Sequence, residues 1–303
     1  MQHVLIAGGT GLIGTRLSEM LVAAGYRVSH LSRRAQPNGT YPTYQWDVER
    51  GTIDEAALEE ADVVINLAGA GIADKPWTPA RKQLIIDSRV KSSSLLKAAM
   101  QKSGNPPKLF ILGAAVGYYG DRGNELLQEE SPAGAGFMPQ SCIAWEKPAE
   151  EIAASGIRTV ILRMGIVLST RGGALEKILQ PLRFFLGVYF GNGRQWYSWI
   201  HIDDLCRMYI HAIENVHLQG VYNAVGPHPA GNKSLVQALA AAYGRPALIL
   251  QAPAFVMRLA LGEMAAAILD STKVSSQKIT ATGFRCEYPT LLHAVKDLIT
   301  RHA

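Results

Sequence analysis

Val4-Leu5-Ile6-Ala7-Gly8-Gly9-Thr10-Gly11-Leu12-Ile13-Gly14 decides how the chain folds. A short apolar run enters a glycine-rich turn, and the turn enters an amphipathic helix, which is the arrangement that holds a dinucleotide pyrophosphate. Gly9, Gly11 and Gly14 read as G-x-G-x-x-G, while Gly8, Gly11 and Gly14 give G-x-x-G-x-x-G. Both spacings rest on the same physics. Glycine permits the tight turn, lets backbone approach phosphate and lets helix pack on strand. The helix start then offers unpaired N–H groups and partial positive charge to the anion. Gly8, Gly9, Thr10, Gly11, Leu12, Ile13 and Gly14 are therefore expected at a nucleotide.

The composition narrows the partners. At 303 residues the chain can bury a large core in one or two domains. The net charge of +5 comes from scattered Lys and Arg, and aromatic residues do not interleave with a basic patch, so no nucleic-acid partner is expected. Three cysteines, none in C-x-x-C, exclude a disulfide scaffold and suit a reducing cytoplasm. Dispersed histidines without H-E-x-x-H suggest no metal site. No targeting segment is expected, because the N-terminus enters a strand at once. The apolar stretch from Ala252 to Leu269 is broken by Arg258 and Glu263, so it predicts amphipathic helices rather than a membrane span.

Beyond the glycine turn, strands and helices alternate. A helix from Leu12 to Ala24 ends at Gly25, and strands follow at 27–31 and 44–46. A helix at 55–60 precedes a strand at 63–67, which closes with Asn66-Leu67-Ala68-Gly69 at the ligand side of the sheet. A long helix spans 79–102, and a strand spans 108–112. Residues 143–154 read as a helix that Pro148 must bend or restart. A strand at 159–164 completes the period of a doubly wound parallel α/β sheet. Past Gly165 the regularity falls. Residues 203–212 read as a helix, 220–224 as a strand that can rejoin the sheet, and the region from Asn232 as mostly helical. The predicted division is 1–164, with a returning contribution near 200–225, and a C-terminal lobe over 165–303.

The end of the second strand bears on which nucleotide binds. Sheets that take NAD carry Asp or Glu there, for the ribose hydroxyls. This chain has Ser32, Arg33 and Arg34. Arginine can grip a 2′-phosphate that an acid would repel, so NADP(H) is preferred over NAD(H), with Ser32 and Arg33 as contacts. Asp47 can accept from the adenine amine or cap a turn. Leu67, Ala68 and Gly69 complete the cofactor set.

The chain resembles the extended short-chain dehydrogenase/reductase superfamily, and within it the atypical epimerase-like branch that has its own C-terminal domain. The likeness rests on GGTGLIG at 8–14, NLAGAGIADKPW at 66–77, DSRV at 87–90, GYYGDRG at 117–123, CIAWE at 142–146, RMGIVLSTRGGAL at 163–175, GNGRQWYSWIHIDD at 191–204 and GF at 283–284. It implies a Rossmann domain, a nicotinamide cofactor and a smaller substrate lobe. Superfamily relatives act as epimerases, dehydratases or reductases on nucleotide sugars and other hydroxyl-bearing compounds.

The superfamily's chemistry uses a Tyr, a Lys four residues on and a Ser that orients the substrate oxygen. Here the resemblance places Cys142 at the Tyr position, Glu146 at the Lys position and Ala114 at the Ser position. A carboxylate cannot lower a neighbour's pKa as a Lys does. The substitutes considered for catalysis are Glu146 as a base, Tyr118 as an acid or orienter, Cys142 as a thiol acid and His201. Arg163 and Arg194 are candidates for an anionic substrate, and Asp203 or Asp204 for a helix cap. Two functional readings follow. One is an NADP(H)-binding epimerase-like oxidoreductase acting on a hydroxyl- or carbonyl-bearing compound, such as a sugar nucleotide. The other is a nucleotide-binding sensor or regulatory protein without turnover.

Overall fold

The computed structural model describes residues 1–34, 39–244 and 246–301. The first half alternates β1 (His3–Ala7), α1 (Leu12–Ala23), β2 (Arg27–Ser32), β3 (Thr43–Asp47), β4 (Thr52–Ile53), α2 (Ala56–Glu59), β5 (Val63–Asn66), α3 (Pro79–Lys102) and β6 (Leu109–Ala115). After a short β7 (Leu126–Leu127) come α4 (Phe137–Ala154), β8 (Arg158–Met164), β9 (Ile166–Leu168) and α5 (Ala174–Leu182). Then follow β10 (Leu186–Phe190), β11 (Trp196–Tyr197), β12 (Trp199–His201), α6 (Ile202–Glu214) and β13 (Gly220–Ala224). The strands at 3–7, 27–32, 43–47, 63–66, 109–115, 158–164 and 220–224 are parallel and hydrogen-bonded in one sheet, in the order β13-β8-β6-β5-β1-β2-β3-β4. Only β4 joins antiparallel. The order reverses between β1 and β5, where ligands of doubly wound sheets bind at the carboxyl ends of the strands.

Period-two alternation puts each strand's side chains into two cores. Val4, Ile6, Val63, Ile65, Leu109 and Ile111 face one side with Leu17 and Leu21 of α1 and Leu205 and Met208 of α6. Leu5, Val64, Phe110 and Leu112 face the other, with Leu96 and Met100 of α3 and Ala149 and Ile152 of α4. Both faces are covered, which is why these strands read as nearly continuous apolar runs. Truncating one of these leucines to alanine would cost about 2–5 kcal/mol.

The long helix starts where its sequence says it should. The Thr78 hydroxyl accepts from the Arg81 N–H, and Pro79 takes the first turn, where no donor is needed. The α1 helix ends at Gly25, whose φ of +87° suits glycine. Two expectations need correction. The helix read as 143–154 begins at Phe137 and runs through Pro148 without a second start. The cost of that proline is one lost bond to the Ala144 carbonyl, borne inside a helix that packs along α3 and the sheet. The region past Gly165 also contains strand pairs that local periodicity did not reveal. Strand β9 pairs with β12. Strand β10 pairs with residues 248–252, about sixty residues on.

The remaining elements are β14 (Ala230–Gly231), α7 (Asn232–Ala242), β15 (Leu248–Ala252), α8 (Ala254–Leu261), α9 (Ala266–Leu269), β16 (Lys273–Val274), α10 (Gln277–Ala281) and α11 (Leu291–Thr300). They form a smaller, largely helical lobe. Among the described residues no helix is long and apolar enough to cross a membrane.

Candidate functional site

The glycine turn is packed to its limit on the protein side. A Cβ on Gly8, whose φ is +83°, would stand 2.8 Å from the Leu67 carbonyl carbon. One on Gly14 would stand 2.3 Å from the Gly8 oxygen, and one on Gly9 would enter the His30 ring. Gly11 differs, since its Cβ would meet only the Gly8 oxygen, at 3.3 Å. Gly8 and Gly14 thus serve the turn and the strand–helix contact. Gly11 keeps open the space in front of α1. Gly9 is as crowded as Gly8 and Gly14, so all four glycines belong to the turn. No side chain caps α1, so its first N–H groups face that space.

The adjoining edge is held from behind. Asn66 is buried at the end of β5 and donates to the hydroxyls of Ser92 and Ser93, at 3.1 and 2.9 Å, while its carbonyl oxygen accepts from the Ala68 N–H. The Ser88 hydroxyl accepts from the Ala70 N–H, and Arg89 Nη1 donates to the Ala70 carbonyl at 2.9 Å. These α3 side chains set the path of Leu67, Ala68 and Gly69. The sequence reading assigned no role to Ser88 or Arg89. The signal available was the DSRV motif itself, two polar residues inside a helix that must pack on a sheet.

Arg33 and Arg34 are exposed at the end of β2, and the Arg34 N–H donates to the Ser32 hydroxyl. Asp47 is used locally. One of its carboxylate oxygens accepts from the N–H groups of Glu49 and Arg50, at 3.0 and 3.1 Å. Of the two roles left open for it, turn cap is the one its hydrogen bonds fill.

On the far side of the cleft, Glu146 and Arg163 form a buried fork. Arg163 Nε and Nη2 donate to the two carboxylate oxygens at 2.8 and 2.7 Å, and both side chains are at most 5 % exposed. Arg163 Nη1 donates to the Tyr119 hydroxyl and the Glu129 carbonyl. Burial works against the Arg163 charge, but Glu146 outweighs it and holds the guanidinium protonated. Burial pushes the Glu146 carboxyl upward while Arg163 pulls it back. Glu146, expected as a base, and Arg163, expected as an anion contact, thus spend their charged groups on each other. Tyr119 is buried, raised to about 12 by burial, and donates to the Asn223 side-chain carbonyl at 2.7 Å. The network joins α4, β8 and β13.

Cys142 is fully buried among Trp77, Ile85 and Trp145, and burial pushes its thiol up, as befits a small apolar side chain. Ala114 lies in the sheet opposite Arg163. Tyr118 is half-buried beside it, its ring 3.5 Å from the Arg163 guanidinium, and its hydroxyl makes no hydrogen bond among the described residues. Among the described residues the Cys142 thiol also has no hydrogen bond, but it is fully buried, whereas Tyr118 is not.

The structure places His201 elsewhere. It is fully buried, stacks on Tyr288 at 3.9 Å, and its Nδ1 accepts from the Asp203 N–H at the start of α6. Its Nε2 lies 3.2 Å from the Asp297 carboxylate without hydrogen-bond geometry, and burial lowers the imidazole pKa, so the ring is a neutral cap. The cap of α6 is thus His201 rather than Asp203 or Asp204. Those two acids tie other segments. Asp203 pairs with Arg16 and Arg301, and Asp204 accepts from the N–H groups of Glu287 and Tyr288. Arg194 is exposed in a separate open groove of about 870 Å3, beside Asn124, Trp196, His228 and Lys233.

With fold and site in place, the comparisons are unambiguous about class. Residues 4–225 match the NAD dependent epimerase/dehydratase family, and the chain belongs to it. Residues 252–298 match a second family, a domain of unknown function (DUF1731), which accounts for the distinct C-terminal part. The chain is 36 % identical to the epimerase family protein SSP1921 of Staphylococcus saprophyticus, covering 99 % of this chain and 100 % of that one. It is 36 % identical to mouse epimerase family protein SDR39U1, covering 98 % and 99 %. The crystal structure of human epimerase family protein SDR39U1 (isoform2) with NADPH superposes with a TM-score of 0.91 at 34 % identity, over 99 % of both chains.

Proposed function

We propose that the chain is an NADP(H)-dependent, epimerase-like oxidoreductase that acts on a hydroxyl- or carbonyl-bearing compound without the superfamily's Tyr, Lys and Ser. The observation that carries this reading is the turn at Gly8, Gly11 and Gly14. It is closed to side chains on the protein side and open only toward the uncapped start of α1. A pyrophosphate fits there against backbone N–H groups, and Leu67, Ala68 and Gly69 line the next edge. Bound, the cofactor supplies hydride chemistry.

Two observations support NADP(H) over NAD(H). The end of β2 carries exposed Arg33 and no acid. A relative that is 34 % identical over the whole length was crystallised with NADPH. Residues 1–164, with the returning strand β13, form the nucleotide-binding part in this reading, and 165–303 supply most of the substrate lobe.

The residue best placed to touch substrate is Tyr118, whose hydroxyl is uncommitted at the carboxyl end of the sheet. Arg163 positions it by stacking on its ring. Glu146 in turn fixes Arg163. A second reading, nucleotide binding without turnover, is favoured by the same fork, because it uses up the carboxylate that stands at the Lys position.

Nicotinamide fluorescence of the purified chain, titrated with NADPH and with NADH, tests the proposal. Saturable NADPH binding with weaker NADH binding is expected. Binding of neither overturns it.

A further inference from the structure

Two arginines stand at the catalytic edge with opposite arrangements. In Arg163 the Nε and Nη2 donors, the side-on edge of the guanidinium, are filled by Glu146 at 2.8 and 2.7 Å. In Arg89 the same edge is empty. Its Nη1 is spent on the carbonyls of Ala70 and Ile85, at 2.9 and 3.2 Å, and Nε and Nη2 make no hydrogen bond among the described residues. Among the described residues no carboxylate pairs with it. Asp74, the acid whose charge reaches it, lies 3.5 Å from Arg81 instead.

Arg89 is nevertheless held in place. Its guanidinium lies 4.2 Å from the Trp145 ring centre, and it crowds Gly69 so closely that a Cβ there would stand 2.6 Å from its Cζ. Burial lowers its pKa to about 10. Arg89 is only half-buried, and its Nε and Nη2 stay within reach of solvent or of a ligand oxygen. Two parallel N–H groups on a fixed plane match the two oxygens of a carboxylate or phosphate. The guanidinium sits between Gly69, in the loop that follows β5, and Trp145 of α4.

We propose that the Nε/Nη2 edge of Arg89 binds an oxyanion, carboxylate or phosphate, of the substrate. This rests on the cofactor-site reading above, and it makes the substrate anionic near its reacting end.

The test is calorimetry on the intact chain. NADP+ is titrated first, which reports on the cofactor reading alone. Malonate and inorganic phosphate are then titrated into the NADP+-loaded protein, where the cofactor already fills its own phosphate sites. Saturable binding of at least one anion is expected, with affinity at least about ten-fold lower in Arg89→Gln. Arg89→Lys keeps the charge and loses the fork, so it should fall between the two. Wild-type protein that binds neither anion overturns the proposal even if no variant folds. Arg89→Gln that folds and binds both anions as wild type also overturns it. So does a loss confined to NADP+ affinity, which would assign the fork to a cofactor phosphate. Anion binding at Arg89 without NADP+ binding would leave this proposal standing and overturn the cofactor reading.

Discussion

The two edges of the cleft are built from different materials. The edge proposed for the cofactor is backbone: Gly8, Gly11 and Gly14, the start of α1, and the loop at Leu67 to Gly69. The edge proposed for the substrate is side chains: the Glu146–Arg163 fork with Tyr119 and Asn223, Tyr118 stacked on Arg163, and Arg89 beside Trp145. A backbone cradle depends on the absence of side chains, so nearly any change at its glycines damages it. A side-chain network can be rebuilt by exchanging partners, provided each buried charge keeps one.

Glu146→Gln breaks the second edge most severely. It leaves the buried Arg163 charge unpaired, which should cost about 3–5 kcal/mol of stability. Urea unfolding of the single variant, set against Glu146→Gln combined with Arg163→Met, measures this, and the double variant should recover most of the loss. Gly11→Val breaks the first edge instead. Its Cβ meets only the Gly8 oxygen, so the fold should survive, while the side chain occupies the phosphate space and weakens NADPH binding by about 100-fold or more. Arg33→Gln sharpens the comparison. It should weaken NADPH by about ten-fold and leave NADH unchanged, because only the 2′-phosphate loses a charge-assisted bond.

The smallest effect concerns the staple that joins α1 to α6 and lies outside both edges. Burial alone would raise Asp203, but hydrogen bonds from Arg16 and Arg301 outweigh it and hold the carboxyl at about 2, below the ordinary 3.8. A depressed acid contributes stability above its unfolded pKa and loses it as pH falls through the folded one. Wild-type stability should therefore drop between about pH 4 and pH 2, and Asp203→Asn should show a shallower drop over that window. Thermal melts at stepped pH read the difference.

The same division explains what was legible in the sequence. The glycine turn announces itself because close packing removes side chains at fixed spacing, and Gly8 and Gly14 meet backbone at under 3 Å. The 79–102 helix was readable end to end. The departures at Cys142, Glu146 and Ala114 were visible as mismatches, but what replaces them was not. Glu146 and Arg163 were each singled out for separate work. Only the register that sets Ala114 opposite Arg163, with α4 packed across the sheet, brings them into one fork. His201 looked like an acid or base because its stacking on Tyr288 is a tertiary contact, although its capping bond to the Asp203 N–H is local. Arg89 passed unremarked because its emptiness is a property of its neighbours. The β10–β15 pair joins strands about sixty residues apart, beyond the reach of local periodicity.

Nicotinamide fluorescence titration of NADPH into wild type, Gly11→Val and Glu146→Gln, each at a temperature where the variant is folded, tests the central claim most directly. The account predicts that Gly11→Val loses NADPH and that Glu146→Gln binds it as wild type does. NADPH binding retained by Gly11→Val and lost by Glu146→Gln would contradict the separation of the two edges.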